Sequence, residues 1–240
     1  MTSSQTLPQT KILAWGVHLF TASGAVFGAL ALVAIARGDL AFAGVMMLLT
    51  MAIDAVDGAM ARAVGVSHVL PHVDGRRLDD IVDFLNFVIV PAVFMVEAGS
   101  LSHWFLIALP VFASSYGFSQ QDAKTEDDFF LGFPSYWNIL ALYLWILEIS
   151  PGAGNVWLIG LSIAVFVPLK YIYPSKMQML RISTCVGGLV WALVMVWIIL
   201  VPEPAARLHV AEISLIYPAY YIALSAWLGR WDRGIHRTKG

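Results

Sequence analysis

The sequence predicts an all-α integral membrane protein of about eight transmembrane helices, arranged as one membrane domain over residues 1–240. Three observations carry that expectation. Hydrophobic residues make up 59% of the chain and charged residues only 12%, with a mean hydropathy of +0.76, far from the composition of a soluble domain. The apolar residues also fall in runs near the roughly 20 residues that a helix needs to cross a bilayer. Finally, Lys and Arg concentrate in alternate loops, the pattern that orients membrane helices.

The spans are expected at 13–36, 40–62, 79–97, 101–119, 134–150, 154–173, 178–200 and 208–229. The first begins just after Lys11 and lacks a small-residue cleavage site, so no cleaved signal is expected. Gly24 and Gly28, with Ala22, mark close helix packing in span 1, and Pro134 suits the start of span 5. Loops are short and no internal repeat is visible. The loops 63–78, 120–133 and 174–177, with both chain ends and flanking helix tips, hold 12 of the 14 Lys and Arg. Only Arg37 and Arg207 lie opposite. Both termini are therefore expected in the cytoplasm. The tail GRWDRGIHRTKG reads as part of this positive-inside bias, and the tryptophans near span ends as an interfacial belt. A single cysteine, Cys185, excludes a disulfide framework and a Cys-rich zinc site. Nothing points to nucleic acid.

Four aspartates interrupt this apolar background. Asp54 and Asp57 lie in IDAVDGAMAR, and Asp79 and Asp83 in GRRLDDIVD. Spacings of three and four residues put both members of each pair on one helix face. Ionised carboxylates in a membrane helix are costly and mark functional sites, and four facing one another need cationic compensation beyond one arginine. Oxygen donors without His or Cys suit Mg²⁺ or Mn²⁺. Asp80 is rotated by about 100° from Asp79 and, like Asp74, lies outside the pattern. His68 and His72 read as solvated loop residues, and the hydroxyls of Thr21 and Ser23 as either nucleotide donors or bonds back to their own helix.

Asp54-x2-Asp57-Gly58-x2-Ala61-Arg62, followed by Gly75-x3-Asp79-x3-Asp83, resembles the signature of the CDP-alcohol phosphotransferase family, with every fixed residue of that motif present over residues 54–83. One departure is the loop from Arg62 to Gly75, whose twelve residues exceed the usual spacing. The resemblance implies a helical membrane enzyme that transfers a substituted phosphate from a CDP-linked donor to an alcohol. It assigns Asp54, Asp57, Asp79 and Asp83 as ligands of two Mn²⁺ or Mg²⁺ ions, with Asp83 also the catalytic general base. It assigns Asp54, Gly58, Ala61, Arg62 and Gly75 to the nucleotide and diphosphate. The physical reading agrees: Gly58 allows close backbone approach, and Arg62 offers a planar donor fork to phosphate. A homodimer in the bacterial inner membrane, with its active site facing the cytoplasm, is also implied.

The acceptor is read from the end of span 4. Relatives in the family that take phosphorylated acceptors place arginines there; here the stretch runs Ser115-Tyr116-Gly117-Phe118-Ser119-Gln120-Gln121-Asp122-Ala123-Lys124. Without the arginines a phosphate is poorly held, whereas a quaternary ammonium is bound by aromatic faces and nearby carboxylates. The stretches DGRRLDDIVDFLNFVIVP, QQDAKTEDDFFLGFPSYWN and YIYPSKMQMLR extend the resemblance over most of residues 20–185, to the bacterial branch of the family that uses choline. It implies CDP-diacylglycerol and choline as substrates, with Tyr116, Asp122 and Trp137 as expected choline contacts. Serine is the alternative acceptor, its carboxylate meeting Lys124 or Lys176. A cation-coupled transporter is a remoter alternative, which the lack of repeats disfavours.

Overall fold

A computed structural model describes residues 8–121, 123–125, 127–201 and 203–231. Helix α1 (Pro8–Ala36) turns back antiparallel into α2 (Leu40–Val64). The turn is made by Gly38 at φ +73°, where a side chain would be strained, and by Asp39, whose carboxylate accepts from the Phe42 N–H at 3.0 Å. Gly65, at φ +68°, ends α2. A single turn, α3 (Val66–Val69), then occupies the long motif loop, and Asp74 caps α4 (Gly75–Asp83) by accepting from the Arg77 N–H at 3.1 Å. That cap gives Asp74 a local role outside the motif.

The chain continues without a break from α4 through a π-helical stretch, Phe84–Ile89, into α5 (Val90–Glu97). Pro91 explains the wide turn. It lacks the N–H that the Phe87 carbonyl would accept in an α-helix, and the Val90 N–H already reaches back to the Leu85 carbonyl. This composite helix packs on α1 through the glycines noted in the sequence. A methyl on Gly28 would strike Asn86 Oδ1, and one on Gly24 would lie 2.9 Å from Val82 Cγ1. Close contact between the two helices therefore depends on these bare backbones.

A 3₁₀ turn, Trp104–Ile107, leads into α6 (Ala108–Ser119), followed by strand β1 (Phe129–Leu131), α7 (Trp137–Ile146), α8 (Pro151–Phe166) and strand β2 (Lys170–Ile172). Helices α9 (Arg181–Leu200), α10 (Pro204–Ser214) and α11 (Ile216–Leu228) complete the described chain. The protein is thus nearly all-α, and the two short strands correct the all-α expectation. Phe129 pairs with Ile172 and Leu131 with Lys170, antiparallel. The sixth run, expected helical to 173, stops at Phe166 because Pro168 interrupts it. Gly132, at φ +80° and pressed on the Val165 carbonyl, lets β1 approach that end. The last run is two helices rather than one, since Pro218 leaves the Ser214 carbonyl without its i+4 donor. The run expected at 134–150 is also shorter, helical only as α7, so Pro134 lies before the helix rather than at its start.

Among the described residues, three helices are long and apolar enough to cross a bilayer: Gln9–Ala36, Leu40–Val64 and Arg181–Leu200; Trp104–Ser119, Trp137–Ile146 and Pro151–Phe166 are shorter apolar helices. Their outer faces expose Leu19, Phe112, Ile182 and Leu193, the surface expected against lipid tails. Met47, Phe94, Met95, Trp137, Leu142, Met195 and Ile198 form the centre of the core. Across it, Trp191 Nε1 donates to the Tyr143 hydroxyl at 2.9 Å, and that hydroxyl meets Ser214 at 2.8 Å, joining α7, α9 and α10.

Candidate active site

Helices α2 and α4, both packed on α1, set the acidic residues opposite one another. Asp54 and Asp57 descend one face of α2, and Asp79 and Asp83 one face of α4. Carboxylate oxygens of Asp54, Asp57 and Asp79 lie within 4.8 Å of one another. Asp83, one turn beyond Asp79, reaches Asp54 carboxyl to carboxyl. Asp57 is buried, and the Thr21 hydroxyl of α1 donates to it. The other candidate hydroxyl, Ser23, instead bonds its own helix at the Phe20 carbonyl, 2.6 Å away.

The charge of the quartet is felt by Lys124, in the segment between α6 and β1, which interacts electrostatically with all four aspartates. A backbone bridge to Phe130 positions that segment, and the ammonium lies 5.8 Å from the centre of the Tyr173 ring. Burial alone would lower the pKa of this lysine; Tyr173 and the carboxylates of Asp79, Asp83 and Asp80 outweigh it and hold the pKa above the usual value. The cation-bearing side of the site thus comes from a segment more than forty residues beyond the motif.

Gly58 faces open space on α2. A methyl built there would meet only Arg62 Nη1, at 3.3 Å, so the guanidinium lies over the bare turn. Arg62 is exposed and acts electrostatically on Asp57. Ala61 packs among apolar residues of α1, α2 and α3, away from an open role. Gly75 abuts the His18 ring, which would lie 3.1 Å from a methyl at that position.

The expected choline contacts are not gathered with these groups. Trp137 is fully buried in the main core, its indole N–H donating to Ser114 at 2.7 Å; no ring face is left for a ligand. Tyr116, 49% exposed, stacks on Phe166 with ring centres 4.8 Å apart. Asp122 lies outside the described residues. Tyr136 and Tyr173 are both close enough to Asp54 to feel its charge, and Tyr136 also packs on Phe87, one turn after Asp83. Both stood among the many aromatics of this half of the sequence, with nothing in spacing to single them out.

The cluster of Asp54, Asp57 and Asp79 fits a divalent cation: three oxygen donors converge, partly buried, with no nitrogen or sulfur among them. No protein-family profile matches the chain. Its relatives are nonetheless evident. The chain is 40% identical over 221 residues to a phosphatidylcholine synthase from Legionella pneumophila, covering 88% of this chain and 87% of that one. To the phosphatidylcholine synthase of Legionella bozemanae it is 41% identical over 211 residues, covering 84% and 97%. To that of Borreliella burgdorferi it is 33% identical over 218 residues, covering 90% and 93%. Aspartates converging from two helices, together with similarity along nearly the whole chain, make this protein a member of the bacterial phosphatidylcholine synthase family.

Proposed function

We propose that this protein transfers the phosphatidyl group of CDP-diacylglycerol to choline, releasing phosphatidylcholine and CMP. The observation that carries the proposal is the convergence of Asp54, Asp57, Asp79 and Asp83 from α2 and α4, in a chain akin to phosphatidylcholine synthases over most of its length. Asp83 takes the proton of the choline hydroxyl. The choline oxygen then bonds to the phosphorus bearing the diacylglycerol, and the bond from that phosphorus to the CMP oxygen breaks, with CMP carrying away the electron pair. Arg62 holds a phosphate oxygen with its fork, while Gly58 leaves room for the nucleotide. Ala61, packed into an apolar cluster, shapes that turn from behind, and Gly75 brings α4 close to α1. Asp54, Asp57 and Asp79, with Asp83, are the residues that would hold two Mn²⁺ or Mg²⁺ ions. Such ions neutralise the diphosphate and the charge that gathers on the leaving group.

In this reading the chain crosses the bacterial inner membrane about eight times and works as a homodimer. Both termini and the aspartates face the cytoplasm, where choline is available; CDP-diacylglycerol enters from the bilayer. The Lys and Arg distribution supports that orientation. Serine is the competing acceptor, and Lys124 beside the carboxylates is the observation in its favour, since an ammonium there can meet the serine carboxylate.

The test is transfer from CDP-diacylglycerol to labelled choline or labelled serine by the detergent-solubilised protein with Mn²⁺, with and without EDTA. Lipid label from choline alone, abolished by EDTA, is the expected result. Label from serine replaces the acceptor, and transfer that survives EDTA removes the metal from the proposal.

A further inference from the structure

The segment that presents Tyr136 is held in a conformation that its sequence alone would not favour. Ser135 is a non-glycine residue at φ +57° and is buried. Such a conformation costs about 1–3 kcal/mol and persists only where surrounding contacts enforce it. Here the contacts are specific: the Ser135 and Ser114 hydroxyls meet at 2.8 Å, and Trp137 Nε1 donates to the same Ser114 at 2.7 Å. Residues on either side of Tyr136 are thereby tied to α6. What this anchoring holds in place is the Tyr136 ring, against Tyr221 of α11 and Phe87.

The rings around Tyr136 meet at angles. Tyr221 stands nearly perpendicular to it, at 72° with centroids 5.7 Å apart, and Phe87, one turn after Asp83, is tilted at 57° and 6.5 Å. Tyr221 is fixed from behind by donating to the Ile172 carbonyl at 3.0 Å. Tyr173, by contrast, is already occupied: Phe130 stacks on it with ring centres 4.5 Å apart, and Lys176 Nζ and Lys124 Nζ lie 5.0 and 5.8 Å from its centre. Aromatic faces set at angles beside a carboxylate are what a desolvated quaternary ammonium requires. In choline that ammonium is only two carbons from the hydroxyl that must reach Asp83, so its site must lie beside the quartet.

Resting on the choline reading above, we propose that Tyr136, with Tyr221 nearly at right angles to it and Phe87 tilted beside it, forms the cage for the acceptor's trimethylammonium. Trp137 and Ser114 position Tyr136 and do not touch the ligand. The cage recognises a bulky, permanently charged cation through ring faces rather than through hydrogen bonds.

The experiment compares Tyr136→Phe, Tyr136→Leu and wild type in steady-state transfer to choline, with tetramethylammonium as a competitive inhibitor and Mn²⁺ titration calorimetry as a measure of the intact carboxylate site. Tyr136→Phe keeps the ring, and its KM for choline should stay within about threefold of wild type. Tyr136→Leu should raise KM for choline and Ki for tetramethylammonium together by about tenfold or more, with KM for CDP-diacylglycerol and Mn²⁺ affinity unchanged. A choline KM unaltered in Tyr136→Leu, or a rise shared equally by both substrates and by Mn²⁺, overturns the cage while leaving the proposed reaction standing. Wild-type protein that labels lipid from serine and not from choline overturns both.

Discussion

Gly58→Ala separates fold from function at a single position. Gly58 lies inside α2, away from either end, and its φ is not positive. In such a position glycine costs a helix about 0.5–1 kcal/mol relative to alanine. A methyl there meets only Arg62 Nη1, at 3.3 Å, the far end of a flexible side chain that can yield a few tenths of an ångström. The substitution should therefore stabilise the protein, raising Tm by about 1–4 °C for a chain of this size. Transfer should nonetheless collapse. If the nucleotide closes on the bare turn beneath Arg62, a methyl in that contact forces the diphosphate off the carboxylates. A displacement of that kind, costing about 3 kcal/mol of transition-state stabilisation, reduces kcat/KM for CDP-diacylglycerol about 100-fold. Differential scanning fluorimetry in detergent and the choline-transfer assay measure the two halves. Activity within twofold of wild type would refute the argument that glycine is needed for nucleotide approach. A lowered Tm would refute the open face that the structure gives it.

Three other substitutions test separate parts of the site. Asp83→Asn should lower kcat by about 10²–10⁴-fold while Mn²⁺ binding, followed by calorimetry, persists on Asp54, Asp57 and Asp79; turnover near wild type would remove Asp83 as the base. Arg62→Lys keeps the charge but loses the planar fork, so KM for CDP-diacylglycerol should rise at least severalfold in steady-state assays, and equal KM values would contradict its role. Ser114→Ala removes the partner of both Ser135 and Trp137, leaving buried polar groups at a cost of about 1–3 kcal/mol; the expected signature is a lower Tm with a raised KM for choline, and an unchanged Tm would show that the strained turn is held by other contacts.

The aspartate quartet could be read from the sequence because its geometry is local. Residues three or four apart share a helix face whatever else the chain does, and α2 and α4 are helices over the stretches where apolar flanks predict them. Helices α1, α2 and α9 were legible for a similar reason, since each is a long apolar run with a charged or glycine-marked boundary. What could not be read depends on distant partners. Tyr171 and Ile172 continue an apolar run, yet residues 170–172 leave the helix because Pro168 interrupts it and because residues 129–131, some forty positions earlier, offer an antiparallel edge. Trp137 had the composition of a cage residue, but its indole N–H finds Ser114 from α6 and its ring is closed into the core. Tyr136 is set beside Asp54 by the backbone of Ser135, whose positive φ is sustained by a hydroxyl 21 residues upstream. Helical periodicity therefore locates the carboxylates, whereas the acceptor side is assembled by turns and cross-chain hydrogen bonds. The two halves should also fail differently: substitutions in α2 or α4 remove chemistry, and those around Ser114, Ser135 and Tyr136 change which alcohol is accepted before they change how it reacts.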